Sequence, residues 1–154
     1  MFELRALEEN ELIPYFDDLW RDYRAEFIAA GFSEEKADES VAHSKRSYFP
    51  DQILAPGNFI FYAYDAGEKV GKLWLHSVER EGNTEWSIYD VETFADSRGK
   101  GFGRKIMVEA EDYVRAAGGD SISLSVFGNN HVARKLYESL EYETIRVGMK
   151  KKLK

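Results

Sequence analysis

Cysteine is absent from the 154 residues, which excludes disulfides, a thiol nucleophile and thiolate metal sites at the outset. Histidine is scarce: His43, His76 and His131 are scattered without ligand spacing, so no metal is expected and each reads as an ordinary surface or packing residue. No apolar stretch approaches the roughly eighteen residues that a membrane-spanning helix requires, and no charged-then-apolar leader opens the chain. The expectation is a soluble, cytoplasmic protein with no membrane partner. An excess of base is also missing. The formal net charge is −7, and residues 1–40 hold twelve acidic against four basic side chains. A nucleic-acid binder needs a basic face across its domain, so no nucleic acid partner is expected. The acidic front attracts cations, amines included, although a pair of well-solvated helices explains it without any ligand.

What the chain does have is concentrated in Arg98-Gly99-Lys100-Gly101-Phe102-Gly103-Arg104-Lys105, where glycines and cations stand between a strand pattern and a helical one. Ile106, Ala110, Tyr113, Val114 and Ala117 follow at helical spacing, so a helix opens near Gly101 with unpaired N–H groups facing outward. Glycine allows close approach of an anion and positive φ, and the helix dipole adds roughly half a positive charge at that end. A phosphorylated cofactor suits such a loop; an ordinary turn with a basic rim is the alternative. A P-loop is excluded because Gly103 is followed by Arg104 and Lys105 instead of Lys-Ser or Lys-Thr. A dinucleotide fingerprint is excluded because the spacing is G-x-G-x-G and the nearest acid, Asp120, precedes the strand Ile122 to Phe127.

The remaining pattern supplies the frame. Phe2 to Leu7 alternates as a first strand. Ile13, Phe16, Trp20, Tyr23 and Phe27 then mark a long helix with an aromatic core stripe, Pro14 in its first turn and Gly31 at its end. Ser33 caps a second helix that runs to Tyr48 and stops at Pro50. Phe59 to Tyr64, Val70 to Val78 and Thr84 to Phe94 alternate as a three-stranded meander. After the glycine loop and its helix, Gly118-Gly119 leads to the strand Ile122 to Phe127. A short helix follows with Val132, Ala133, Leu136, Tyr137 and Leu140 as its buried stripe, and Tyr142 to Leu153 supplies one or two closing strands. This is one α/β domain spanning 1–154: a mixed, mainly antiparallel sheet of about six or seven strands flanked by about four helices.

At two places the residues resemble the GNAT N-acetyltransferase superfamily. The family's phosphate-loop signature reads here as Arg98, Gly101 and Gly103, after the strand Ser87-Ile88-Tyr89-Asp90-Val91-Glu92-Thr93-Phe94. A second family segment reads as Asn130, Ala133, Leu136, Tyr137 and Glu138. The resemblance covers nearly the whole chain, with its last two thirds most like small bacterial members, and implies a GNAT-like fold and acetyl-CoA as co-substrate. It implies that Gly99, Lys100, Gly101, Phe102, Gly103 and Arg104, with Arg98, hold the pyrophosphate, that Val91, Glu92 and Thr93 pair with the pantetheine arm, and that Asn130 contacts the cofactor.

The implied reaction is direct attack of a primary amine, on a small molecule or a peptide, in a ternary complex. Tyr137 is matched to the family's proton donor, with a buried aromatic as its alternative reading. Glu92, with Asp90 in reserve, is the expected base, set against a plain strand carboxylate paired with a basic neighbour. Some members carry a glutamate on the later strand where this chain has Ser125, which cannot serve as a base. That departure keeps a non-catalytic acyl-CoA-binding or sensing domain as the rival reading; an interaction module using the acidic helices ranks third. Glu141 stands where the family has a left-handed glycine. The acceptor's identity, other acyl groups and the oligomeric state, homodimer included, are left open.

Overall fold

Alternation dominates the middle of the chain and helical spacing its two ends. In the computed structural model, which describes all of residues 1–154, they become β1 (Phe2–Ala6), α1 (Glu9–Ala29), α2 (Glu34–Tyr48), β2 (Asn58–Asp65), β3 (Glu68–Arg80), β4 (Asn83–Thr93), α3 (Phe102–Ala116), β5 (Ser123–Leu124) and α4 (His131–Ser139). The strands lie in chain order, β1-β2-β3-β4-β5. The first three pairings are antiparallel and β4–β5 is parallel, giving the mixed α/β sheet expected.

Each face of the sheet buries its own apolar cluster. On one face α3 lays Phe102, Ile106, Met107, Ala110 and Val114 against Phe61, Leu73, Leu75 and Ile88. On the other, α1 supplies Tyr15, Phe16, Leu19 and Trp20 against Phe49, Ile60 and Trp74. Phe16 stacks on Phe49 with centroids 4.4 Å apart and meets Trp74 edge-on at 5.4 Å. Aromatic pairs in these geometries add about 1 kcal/mol each beyond area burial, so α1 is fastened to the sheet by its first half.

Several expectations change in detail. Pro14 lies in the interior of α1, because the helix begins at Glu9, where the Glu11 carboxylate accepts the Glu8 N–H at 3.0 Å. Of the expected stripe only Phe16 and Trp20 are core; Ile13 is exposed, and Tyr23 and Phe27 line a cleft. Ser33 caps α2 as expected, accepting the Lys36 N–H at 3.1 Å. Val132, placed in the buried stripe of α4, is 84% exposed.

The sheet has five strands, and residues 143–154 add none. The expected strand Ile122 to Phe127 pairs only through Ser123 and Leu124, so it offers too short an edge to template a further strand. Ile145, Val147 and Met149 consequently remain exposed.

Candidate active site

A single extra residue in β4 decides what faces the site. Trp74 pairs with Asp90 and Leu75 pairs with Ile88, leaving Tyr89 as a bulge. In an unbroken strand Ile88, Asp90 and Glu92 would share one face. The bulge reverses that phase: Ile88 and Val91 join the cluster under α3, while Asp90 and Glu92 turn to the α1 side. Tyr89 packs there too, stacked on His76 at 4.5 Å and edge-on to Trp74 at 5.3 Å.

Beyond Ile88 the ladder between β4 and β5 stops, so β4 keeps a free edge from Tyr89 to Thr93. The parting strands open a cleft of about 690 Å³. Its walls are β4, the second half of α1, residues 123–127 and Tyr137. Phe127 closes one end by meeting Phe27 edge-on at 5.4 Å. Ser125 lines the wall without an acidic group.

Asp90 and Glu92 both face a buried cation. Lys72, on β3, has a side chain only 5% exposed and places Nζ 3.0 Å from Asp90 Oδ2 and 3.5 Å from Glu92 Oε2. Burial opposes its charge, but Asp90 and then Glu92 outweigh burial and hold the Lys72 ammonium above the ordinary lysine range. Tyr15 donates its hydroxyl to Asp90 Oδ2 at 2.6 Å, and burial followed by the Asp90 charge pushes that phenol well up. Arg98 completes the network, with Nη2 3.7 Å from Glu92 Oε1 and Nε donating to the Thr93 carbonyl at 3.1 Å. Its side chain therefore turns back to β4.

The glycine loop reaches α3 as expected. Gly101 is the N-cap, with φ +82°, no side chain caps that end, and no acid stands in the first turn. A Cβ added at Gly99 or Gly101 would meet nothing within 4 Å, so the backbone there lies bare. At Gly103 an added Cβ would touch Leu136 at 3.2 Å and Thr93 at 3.5 Å, which makes that glycine a contact between α3, α4 and β4. Arg104 donates to Ser139 Oγ at 2.6 Å, which ties its side chain to α4, and Lys100 is exposed. Bare amides, positive φ and an uncapped helix start suit a diphosphate.

Asn130 caps α4, its Oδ1 accepting the Ala133 N–H at 3.2 Å, and also lines the cleft. About two helical turns later, Tyr137 lines the same space. Burial, then the charges of Asp90 and Glu26, push its phenol up and keep the proton on Oη. The structure thus brings Tyr137, Asp90, Val91, Glu92 and Asn130 to one cleft, while Arg98 to Arg104 form the neighbouring loop. Sequence reading missed Tyr15, Lys72 and Glu26. Lys72 carried one usable signal, a lysine flanked by the apolar run of a central strand. No cluster of three or more metal-ligating side chains forms, and no helix is long and apolar enough to cross a membrane.

Comparison with known proteins bears on this arrangement. Residues 13–142 match the acetyltransferase (GNAT) family. The chain is 37% identical over 153 residues to the uncharacterized N-acetyltransferase YycN of Bacillus subtilis (strain 168), covering 97% of each protein. It is 24% identical over 154 residues to a second B. subtilis protein, the uncharacterized N-acetyltransferase YdgE, covering 99% of this chain and 98% of the other. The crystal structure of YycN superposes with a TM-score of 0.90 and 27% identity, covering 99% of each chain.

Proposed function

The chain belongs to the GNAT acetyltransferase family, and from that premise we propose that it moves an acetyl group from acetyl-CoA to a primary amine of a small molecule or peptide, in a ternary complex in the cytoplasm. The observation that carries the reading is the free β4 edge, Tyr89 to Thr93, lying between an uncapped helix start and a cleft that contains an unbonded tyrosine hydroxyl.

The amides of Gly99 to Arg104 hold the diphosphate of CoA against the N-terminus of α3, where the helix dipole favours negative charge. Arg98 secures the end of β4, Lys100 adds an exposed positive charge, and Phe102 anchors the loop in the core. The edge of Val91, Glu92 and Thr93 binds an extended amide-bearing chain as a further strand would, and Asn130 lines the same groove. Acetyl-CoA supplies an activated acyl thioester. A backbone N–H on the free edge beside Val91 is the donor for the oxygen that gains charge in the transition state. Tyr137 holds a proton at Oη for the departing sulfur. Asp90 and Glu92 form an anionic wall that favours an approaching ammonium group, with Lys72 fixing both carboxylates in place.

Calorimetry with acetyl-CoA, followed by thiol release on a panel of amines, tests the reading. Micromolar cofactor binding with amine-dependent thiol release supports it. Binding without turnover for any amine would favour the acyl-CoA-sensing alternative, which the ion-paired Asp90 and Glu92 and the serine at position 125 keep in view. Absence of binding would end both.

A further inference from the structure

Four carboxylates line the cleft: Asp22 and Glu26 on α1, and Asp90 and Glu92 on β4. Three have partners. Asp22 pairs with Arg21 at 3.4 Å, Asp90 with Lys72 and the Tyr15 hydroxyl, and Glu92 with Lys72 and Arg98. The Glu26 side chain makes no hydrogen bond and no ion pair, and it lines the same cleft as Asp90 and Tyr137 while remaining exposed to solvent.

We propose that Glu26 is the catalytic base: it receives the incoming ammonium group and takes its proton, so that α1 supplies the function first sought on β4. The inference rests on the acetyltransferase reading of the cleft. To accept a proton, Asp90 or Glu92 would have to surrender its charge-assisted contact with Lys72. Glu26 surrenders none. In the step itself an ammonium N–H bond breaks and an O–H bond forms on a Glu26 oxygen. The electron pair stays on nitrogen as the nucleophile, and the acid form of Glu26 returns its proton to water.

The surroundings tune that exchange. The titratable and charged groups that share the cleft with Glu26 are Asp22 and Tyr23 on its own helix, Tyr48 on α2, Lys72 on β3, Asp90 and Glu92 on β4, Tyr137 on α4 and Arg146 in the tail. Burial, followed by the charges of Asp90, Asp22 and Glu92, raises the Glu26 carboxyl above its ordinary range, with Lys72 in opposition. A stronger base than an ordinary surface glutamate results. The aromatic lining of Tyr23, Phe27, Tyr48 and Phe127 leads up to it, so the acceptor class is a cationic amine with an apolar or aromatic-compatible body.

The test measures thiol release from acetyl-CoA with putrescine, lysine, an aminoglycoside and a short peptide, in the wild type and in Glu26→Gln. The variant is expected to lose about 10²-fold in kcat/KM at neutral pH, with acetyl-CoA affinity unchanged by calorimetry. Its deficit should close as pH rises towards the acceptor's own pKa. Carboxyl titration by ¹³C NMR gives a readout independent of turnover: the Glu26 midpoint should lie above the ordinary glutamate range. An active wild type with an equally active Glu26→Gln, or a Glu26 midpoint at or below the ordinary glutamate range, overturns the inference alone. A wild type that binds no acetyl-CoA and releases no thiol removes the acetyltransferase reading, and the inference falls with it.

Discussion

The Tyr142 N–H donates to the Tyr137 carbonyl at 3.0 Å, and the two rings lie 6.0 Å apart. With the Glu141 N–H bonded to the Glu138 carbonyl at 3.0 Å, this is a Schellman termination of α4 complete with its apolar contact. It fixes the end of the helix that carries the candidate proton donor.

Such a termination needs one left-handed residue, and Glu141 occupies it with φ +70°. Glu141→Gly is therefore expected to stabilise the fold by about 1 kcal/mol, read as an upward shift of the urea midpoint. A midpoint at or below that of the wild type would refute the strain.

Tyr137→Phe keeps the ring and its contact with Tyr142 while removing the proton from Oη. Turnover should fall by about 10²-fold or more with acetyl-CoA affinity and thermal stability nearly unchanged. Equal turnover would return Tyr137 to a packing role.

Lys72→Met leaves the neighbouring carboxylates of Asp90 and Glu92 without their buried cation. A loss on the order of 3 kcal/mol is expected, measured by denaturant unfolding at pH 7. A double variant, Lys72→Met with Asp90→Asn, should recover part of it, because one uncompensated charge is then gone.

Gly101→Val places a branched side chain on a residue at φ +82° whose Cβ position is open. The fold should lose about 1–2 kcal/mol, and acetyl-CoA binding should weaken more than tenfold because the side chain stands where the diphosphate is held. Unchanged affinity by calorimetry would place the phosphates elsewhere.

His76 offers a pH test of the α1-side packing. Its Nδ1 lies 2.9 Å from Asn58 Oδ1, and burial holds its pKa below the ordinary value of 6.5. The folded state thus binds fewer protons than the unfolded state in that window. Stability should be full above pH 6.5, decline as pH falls below it, and level off once pH passes the folded value. In His76→Gln the slope within this window should flatten; an unchanged slope would assign it to carboxylates instead.

Much of the candidate site was legible in the order of residues. The glycine loop before an amphipathic stripe announced the start of α3, and Asn130 with Ala133 and Tyr137 announced α4, because caps and helical periodicity are local properties. The three-stranded meander was legible for the same reason. The closing strands were not. Alternation from Ile145 to Met149 satisfies the pattern for a strand, but pairing requires an edge, and β5 provides only two residues of one.

The sequence by itself determined the element order through α4, the bare helix start and the identity of every group available for chemistry. Tertiary structure decided which groups face one another. The bulge at Tyr89 turns Asp90 and Glu92 from the α3 cluster to the cleft, and Lys72 meets them only because β3 lies beside β4 in that register. Glu26 enters the same space from 64 residues upstream of Asp90 because the aromatic first half of α1 packs on the sheet and aims its second half across the opening. Periodicity along a chain reports which residues share a face of one element; only packing between elements reports what that face looks upon.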